Sequence, residues 1–163
     1  MSNAVLDIRL LDRADWRILR ETRLRALSES PHAFTSRHHV ESGWSERQWR
    51  DQLTAATWLV AMERGDIIGI AGLVGRQQAP EARHIESIWV APTHRNRGVF
   101  RSVMKVVAEI GQRTGLPHLL LWVLDDNMVA QHAYARLGFV PTGERQLVDP
   151  SCPRYELRLR LAL

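Results

Sequence analysis

Cysteine is nearly absent from this sequence: Cys152 stands alone. One thiol excludes an intramolecular disulfide and a cysteine-built zinc site. Its place between Asp149-Pro150 and Pro153 predicts a turn and argues against a nucleophilic role. Long apolar runs are missing too, since no stretch approaches the roughly 20 residues of a membrane-spanning helix. Asp7 and Arg9 interrupt the N-terminus too early for the apolar part of a signal peptide, so a cytoplasmic, reduced protein is expected. Lysine occurs once, at Lys105, and the 22 basic residues set against 18 acidic ones are therefore almost all arginine. The net +4 suits an anionic ligand. It is too small and too evenly spread to indicate nucleic acid, and no recognition helix or aromatic–basic pattern supports that reading.

What is present is ordinary for one globular domain. Apolar residues make up 45% and charged residues 25% of 163, with no repeat, low-complexity tract or linker, so residues 1–163 read as a single domain. "VLDIRLL" alternates as a strand. Asp12 to Ser28 reads as a helix on the spacing of Trp16, Leu19, Leu24 and Leu27, and Pro31 follows its end. Residues 31–44 read as a loop or broken helix, after which Ser45 can cap a short helix. "TWLVAM" and "IIGIAGLV" read as a hairpin turning through Glu63-Arg64-Gly65-Asp66, and "HIESIWVA" as a strand ended by Pro92. From Val99 the apolar period becomes helical, with Gly111 or Gly115 as terminator. "HLLLWVL" suits a buried strand, Asp126 or Asn127 caps the next helix, Gly138 ends it, and two strands around Phe139–Leu147 and Tyr155–Leu161 close the chain. The order β-α-α-β-β-β-α-β-α-β-β predicts a mixed α/β sheet.

The stretch "VAPTHRNRGVF", Val90 to Phe100, places arginines and a glycine where that third strand of the set gives way to a helix. A helix N-terminus offers unpaired N–H groups and partial positive charge to a phosphate. Gly98 removes a side chain at the point of approach, and Arg95, Arg97 and Arg101 can add forked donors. A solvated, arginine-rich connection is the bland alternative. Downstream, "DDNMVAQHAYARLGF" has Asn127 and Tyr134 seven residues apart, followed by Leu-Gly-Phe.

Together these two motifs, in this order and with a strand between them, resemble the GNAT superfamily of acyl-CoA-dependent N-acetyltransferases over most of Trp58 to Phe139. The resemblance implies a mostly antiparallel twisted sheet flanked by helices. It implies acetyl-CoA as cosubstrate, an amine as acceptor, and no metal. Main-chain N–H groups from Arg97 through Gly98, Val99 and Phe100 to Arg101 are expected to cradle the pyrophosphate, with Arg95 and Asn96 completing the turn. Ile88, Trp89 and Val90 are expected to pair with the pantetheine arm, and Asn127 to bond it. Phe100 departs from the family pattern, which has a small residue there. Its ring either crowds the pyrophosphate or points away from the nucleotide, and the intact neighbouring pattern favours the second.

Direct acetyl transfer needs a neutral nitrogen and a proton donor for the departing thiolate. As a residue alone Tyr134 reads as a core aromatic; with Asn127 seven positions earlier, the resemblance makes it the acid. Glu86, or His84 two positions earlier on the same strand face, is a candidate base, with water or no base as alternatives. Glu86 also reads as a surface ion-pair partner. His32, His38 and His39 beside Glu41 match no common metal spacing. Arg20, Arg23 and Arg25 read as a helix's solvated face or as an attractor for an acidic acceptor. Trp44 and Trp49 read as packing or as cleft walls. A longer acyl-CoA, or acyl-CoA sensing without turnover, are the competing functions, and a homodimer is open.

Overall fold

A computed structural model describes residues 5–75 and 82–163. Seven strands form one sheet in the order β1-β2-β3-β4-β5-β7-β6: β1 Leu6–Leu10, β2 Ala56–Glu63, β3 Asp66–Gly75, β4 Ala82–Val90, β5 His118–Leu124, β6 Val140–Asp149 and β7 Cys152–Ala162. All pairs are antiparallel except β4 with β5. That single parallel pair follows from the intervening crossover helix, α4 Val99–Arg113, since a parallel neighbour cannot be reached by a hairpin.

The remaining helices are α1 Trp16–Glu29, α2 His38–Glu41, α3 Glu46–Ala55 and α5 Met128–Arg136. Asp12 caps a 3-10 turn over Arg13–Asp15, and α1 follows from Trp16, so the expected helix starts in tighter form. Ser45 and Gln48 form a reciprocal capping box on α3. The segment after Pro31 is a broken helix: a 3-10 turn at Pro31–Ala33, then α2. Gly115, at φ +72°, lies just past α4 and ends it, whereas Gly111 lies buried inside it. Cys152 opens β7 rather than lying in the turn.

Register assigns the helices to faces. Trp58 pairs with Gly72, and its indole lies over that glycine; its Nε1 donates to the Gln52 carbonyl of α3 at 3.0 Å. The Arg25 guanidinium of α1 stands 5.2 Å from the Trp89 ring. α1 and α3 therefore cover the Trp58 face. On the other, Gly69 brings the sheet close to Val99, and Leu119 lies against Gly111, so α4 covers that face. Tyr134 of α5 packs near Phe100 of α4 on this side. The core is a sandwich of Leu59, Ile70, Leu73, Leu119 and Leu121 with Leu19, Leu27, Val103 and Val107, all fully buried or nearly so. Burial of such side chains contributes about 1.5–3 kcal/mol each against exposure.

Candidate active site

β4 and β5 pair only from Ala82–His118 to Ile85–Leu121. Beyond that point residues 87–90 pair with no β5 residue among the described residues. A bulge sits at the divergence: β3 pairs Gly72 with Glu86 and Ile70 with Trp89, so Ser87 and Ile88 oppose one residue, and Ser87 takes φ +60°. An extra residue bends and twists a strand, here just where the two strands part. The split is the centre of the site.

On the α4 side the chain leaves Val90 through a 3-10 turn at Pro92–His94. It then makes a turn in which Asn96 has φ +58° and Gly98 φ +83°. Gly98 is the N-cap of α4, and a Cβ built on it meets nothing within 4 Å. Its left-handed backbone and the open space above it leave room for a close-lying group. The first helical bond runs from the Ser102 N–H to the Gly98 carbonyl at 3.0 Å. The N–H groups of Val99, Phe100 and Arg101 have no helical acceptor and add to the positive end of the helix. A pyrophosphate fits this cradle.

The arginines of the turn serve differently from one another. Arg95 donates from Nε to the Val90 carbonyl at 3.0 Å and from Nη2 to the Ser30 hydroxyl at 2.8 Å. Arg97 Nη2 donates to both Glu63 oxygens at 3.0 and 3.2 Å, and His94 Nε2 lies 3.5 Å from the same carboxylate. Two of the three expected auxiliary donors are thus already engaged with protein. Arg101 is exposed and forms no ion pair among the described residues. Sequence reasoning missed these braces because Ser30 and Glu63 lie 65 and 34 positions away.

Phe100 is half-buried, and its ring packs 5.6 Å from that of Tyr134 in an edge arrangement; Phe139 approaches Tyr134 from another side at 5.5 Å. The Phe100 ring therefore lies in the crevice between α4 and α5. Tyr134 is only 9% exposed, and burial pushes its phenol above its ordinary ionisation range. It stays a neutral O–H donor at physiological pH. Its hydroxyl makes no hydrogen bond to a described residue, yet it is not among the sealed polar atoms. Asn127 is the N-cap of α5: Oδ1 accepts from the Ala130 N–H at 3.1 Å. That bond uses the amide oxygen and fixes the side chain at the start of α5.

On the opposite face, Glu86 is exposed and stands across from Gly72, beside the Trp58 indole. His84, two residues earlier and in the same register, is 2% exposed. A guanidinium can only donate, so the 3.1 Å contact between Arg158 Nη2 and His84 Nε2 makes that nitrogen an acceptor. The lone pair is committed to Arg158. Arg158 also donates to both oxygens of Glu144, at 2.9 and 2.8 Å, and its guanidinium lies 5.5 Å from the Trp122 ring. Trp122 is the first β5 residue past the last β4 pair. Glu86 and Tyr134 thus flank the split from opposite faces of the sheet.

One sequence expectation needs correction. Arg23 is not on a solvated face: it is 8% exposed and holds the 2%-exposed Glu41 through two bonds of 2.9 Å, under the Phe34 ring at 4.8 Å. Glu41 is thereby unavailable to the nearby histidines, and no metal-holding group of side chains exists among the described residues. Trp49 is 1% exposed, with Trp44 4.9 Å away, so this pair anchors the start of α3 by packing. No helix among the described residues is long and apolar enough to cross a membrane.

Comparison with known proteins agrees with this geometry. The family model for the acetyltransferase (GNAT) family matches residues 21–139. Streptothricin acetyltransferase of Streptomyces lavendulae is 37% identical over 87 residues, 53% of this chain and 46% of that protein. The chain spans less than half the length of the curated relatives it matches. A GNAT-family acetyltransferase from Streptococcus pneumoniae superposes with a TM-score of 0.80 at 19% identity, covering 98% of this chain and 100% of that one. The PaiA N-acetyltransferase of Thermoplasma acidophilum, solved in complex with coenzyme A, gives 0.74 at 16% identity over 98% and 99%. With the split strands, the left-handed glycine cap and the matched span together, this chain belongs to the GNAT acetyltransferase family.

Proposed function

We propose that this chain is an N-acetyltransferase that moves an acetyl group from acetyl-CoA directly to a primary amine of a small molecule or peptide. The observation that carries the reading is the open, left-handed Gly98 cap with three N–H groups behind it that lack helical acceptors, set beside residues 87–90, which pair with no β5 residue among the described residues. Bound acetyl-CoA supplies an activated thioester. Arg97 to Arg101 hold the pyrophosphate by main chain, with Arg95 and Asn96 shaping the turn and Arg101 adding charge. Ile88, Trp89 and Val90 offer backbone to the pantetheine arm, and Asn127 offers its amide. An extended arm added to a strand edge is held by sheet hydrogen bonds.

The neutral nitrogen attacks the thioester carbonyl and the carbon–sulfur bond breaks. Tyr134 gives its phenolic proton to the departing sulfur, and its phenolate takes up the proton that the acylated nitrogen sheds. Glu86 receives the proton of the incoming ammonium, directly or through water. His84 is the weaker candidate because Arg158 already occupies the nitrogen that would have to accept. An aminated antibiotic is the acceptor class to test first, given that the Streptomyces relative is named for streptothricin.

Thiol release from acetyl-CoA across an amine panel containing streptothricin and spermidine tests this reading. Tyr134→Phe should lower turnover on the order of 10²-fold while coenzyme A affinity stays within about twofold. Unchanged turnover would remove Tyr134 from the mechanism. The Phe100 ring favours one competitor, an acyl-CoA sensor, because it occupies the crevice beside Tyr134. Calorimetric binding of coenzyme A with no amine-dependent thiol release would establish the sensor instead. Phe100→Ala tightening that binding by more than about tenfold, roughly 1.4 kcal/mol, would show that the ring obstructs the site.

A further inference from the structure

The chain between α1 and α2 is fastened to both banks of the split. Ser30 ends α1, and the 3-10 turn Pro31–Ala33 follows at once. The Ser30 hydroxyl is held by Arg95, whose other arm grips the carbonyl of Val90 at the end of β4. Two residues further, the His32 carbonyl accepts from Arg154 Nη2 at 3.2 Å, and the same nitrogen reaches the Asp126 carboxylate at 3.3 Å. Asp126 immediately precedes the Asn127 cap of α5, on the β5 bank. Past this bridge, Glu41 returns the segment to α1 through its buried pair with Arg23.

A guanidinium carries five N–H donors in one rigid plane, so a single side chain can set the spacing of two elements. Arg95 does so between the strand edge that leads into the phosphate turn and a hydroxyl 65 residues away. The exposed residues Pro31, His32 and Ala33 hang between that fork and the one from Arg154. Resting on the acetyl-CoA reading above, we infer that Arg95 is a positioning residue that couples the phosphate turn to the acceptor wall. It fixes the Ser30–Ala33 bridge over the split, so that ligand held at the turn also orders the surface that meets the amine. Arg154 is the far anchor of the same bridge. Coupling of this kind is reciprocal: whatever coenzyme A does for the bridge, an acceptor seated on the bridge does for coenzyme A affinity.

Amide hydrogen exchange on the full chain, with and without coenzyme A, tests this alongside calorimetry of the same samples. In the unaltered chain coenzyme A should slow exchange in residues 32–41 by about fivefold, the lower end of ordinary coupling. In Ser30→Ala that slowing should fall below about twofold while coenzyme A affinity stays within about threefold. Arg95→Lys, which keeps the charge and loses the fork, should give the same loss of slowing. Equal slowing in the two variants and the unaltered chain would overturn the inference, as would no slowing in an unaltered chain that binds coenzyme A. Absence of any coenzyme A binding would instead overturn the acetyl-CoA reading, and this inference with it.

Discussion

On the α4 bank of the split, the working parts are main chain: a strand edge, a glycine with positive φ and three N–H groups at a helix start. In the α1–α2 segment that spans the banks they are side chains reaching over long sequence distances, with Arg95 to Ser30, Arg154 to His32 and Arg23 to Glu41. The first construction depends on local backbone geometry and tolerates exchange of most side chains. The second depends on particular guanidinium forks meeting particular oxygens, and one substitution breaks it.

The sharpest way to break the comparison is at the buried ion pair. Arg23→Ala should cost about 3–5 kcal/mol of stability in denaturant titration, because it strands a buried carboxylate. Arg23→Met with Glu41→Leu should recover most of that, since removing both charges also removes the desolvation cost. Recovery would mean that the pair orients the segment rather than supplying net stability. Tyr134→Phe comes next in size and acts on turnover.

Gly98→Ala probes the main-chain bank. Its Cβ meets no atom, so the cost is backbone strain, about 1–2 kcal/mol, read as lower thermal stability together with weaker coenzyme A binding. Gly111→Ala is the contrast: there the backbone is helical and the added Cβ lies 2.5 Å from the tip of Leu163. A mobile side-chain end can yield, and alanine gains about 1 kcal/mol over glycine in a helix, so the net change should be within about 1 kcal/mol and coenzyme A binding should not move.

The smallest expected effect is acid-dependent. The Asp12 backbone N–H, with help from Arg9, holds the Asp15 carboxyl below its ordinary value. A depressed folded-state value contributes stability that is whole above the unfolded value and is lost as pH falls through the folded one. Asp15→Asn should therefore lower stability by at most about 1 kcal/mol at neutral pH, and the difference from the unaltered chain should vanish below the ordinary carboxylate range. A difference that persisted in strong acid would assign the loss to the cap geometry alone.

Much of the fold was legible because its signals are local. The switch of period at Val99, the glycine punctuation at Gly65, Gly115 and Gly138, and the Ser45 and Asn127 caps each reflect bonding within a few residues. The Asn127–Tyr134 step placed two candidate residues on the cap and body of one helix for the same reason. The fate of Arg23, Arg95 and Arg97 was not legible. A sequence shows that a guanidinium is present but not which oxygen, 18 to 65 positions away, lies within its reach.

By itself the sequence determined the order of elements, the glycine turn that opens α4 and the seven-residue step from the Asn127 cap to Tyr134, because each follows from backbone preference at short range. Only the tertiary structure decided that Phe100 turns toward Tyr134, that His84 gives its lone pair to Arg158, and that the α1–α2 segment bridges the split. Those outcomes depend on which strands lie side by side. That arrangement is set by burying the apolar faces of strands β2 to β5 together against the helices, and no single stretch of chain carries it.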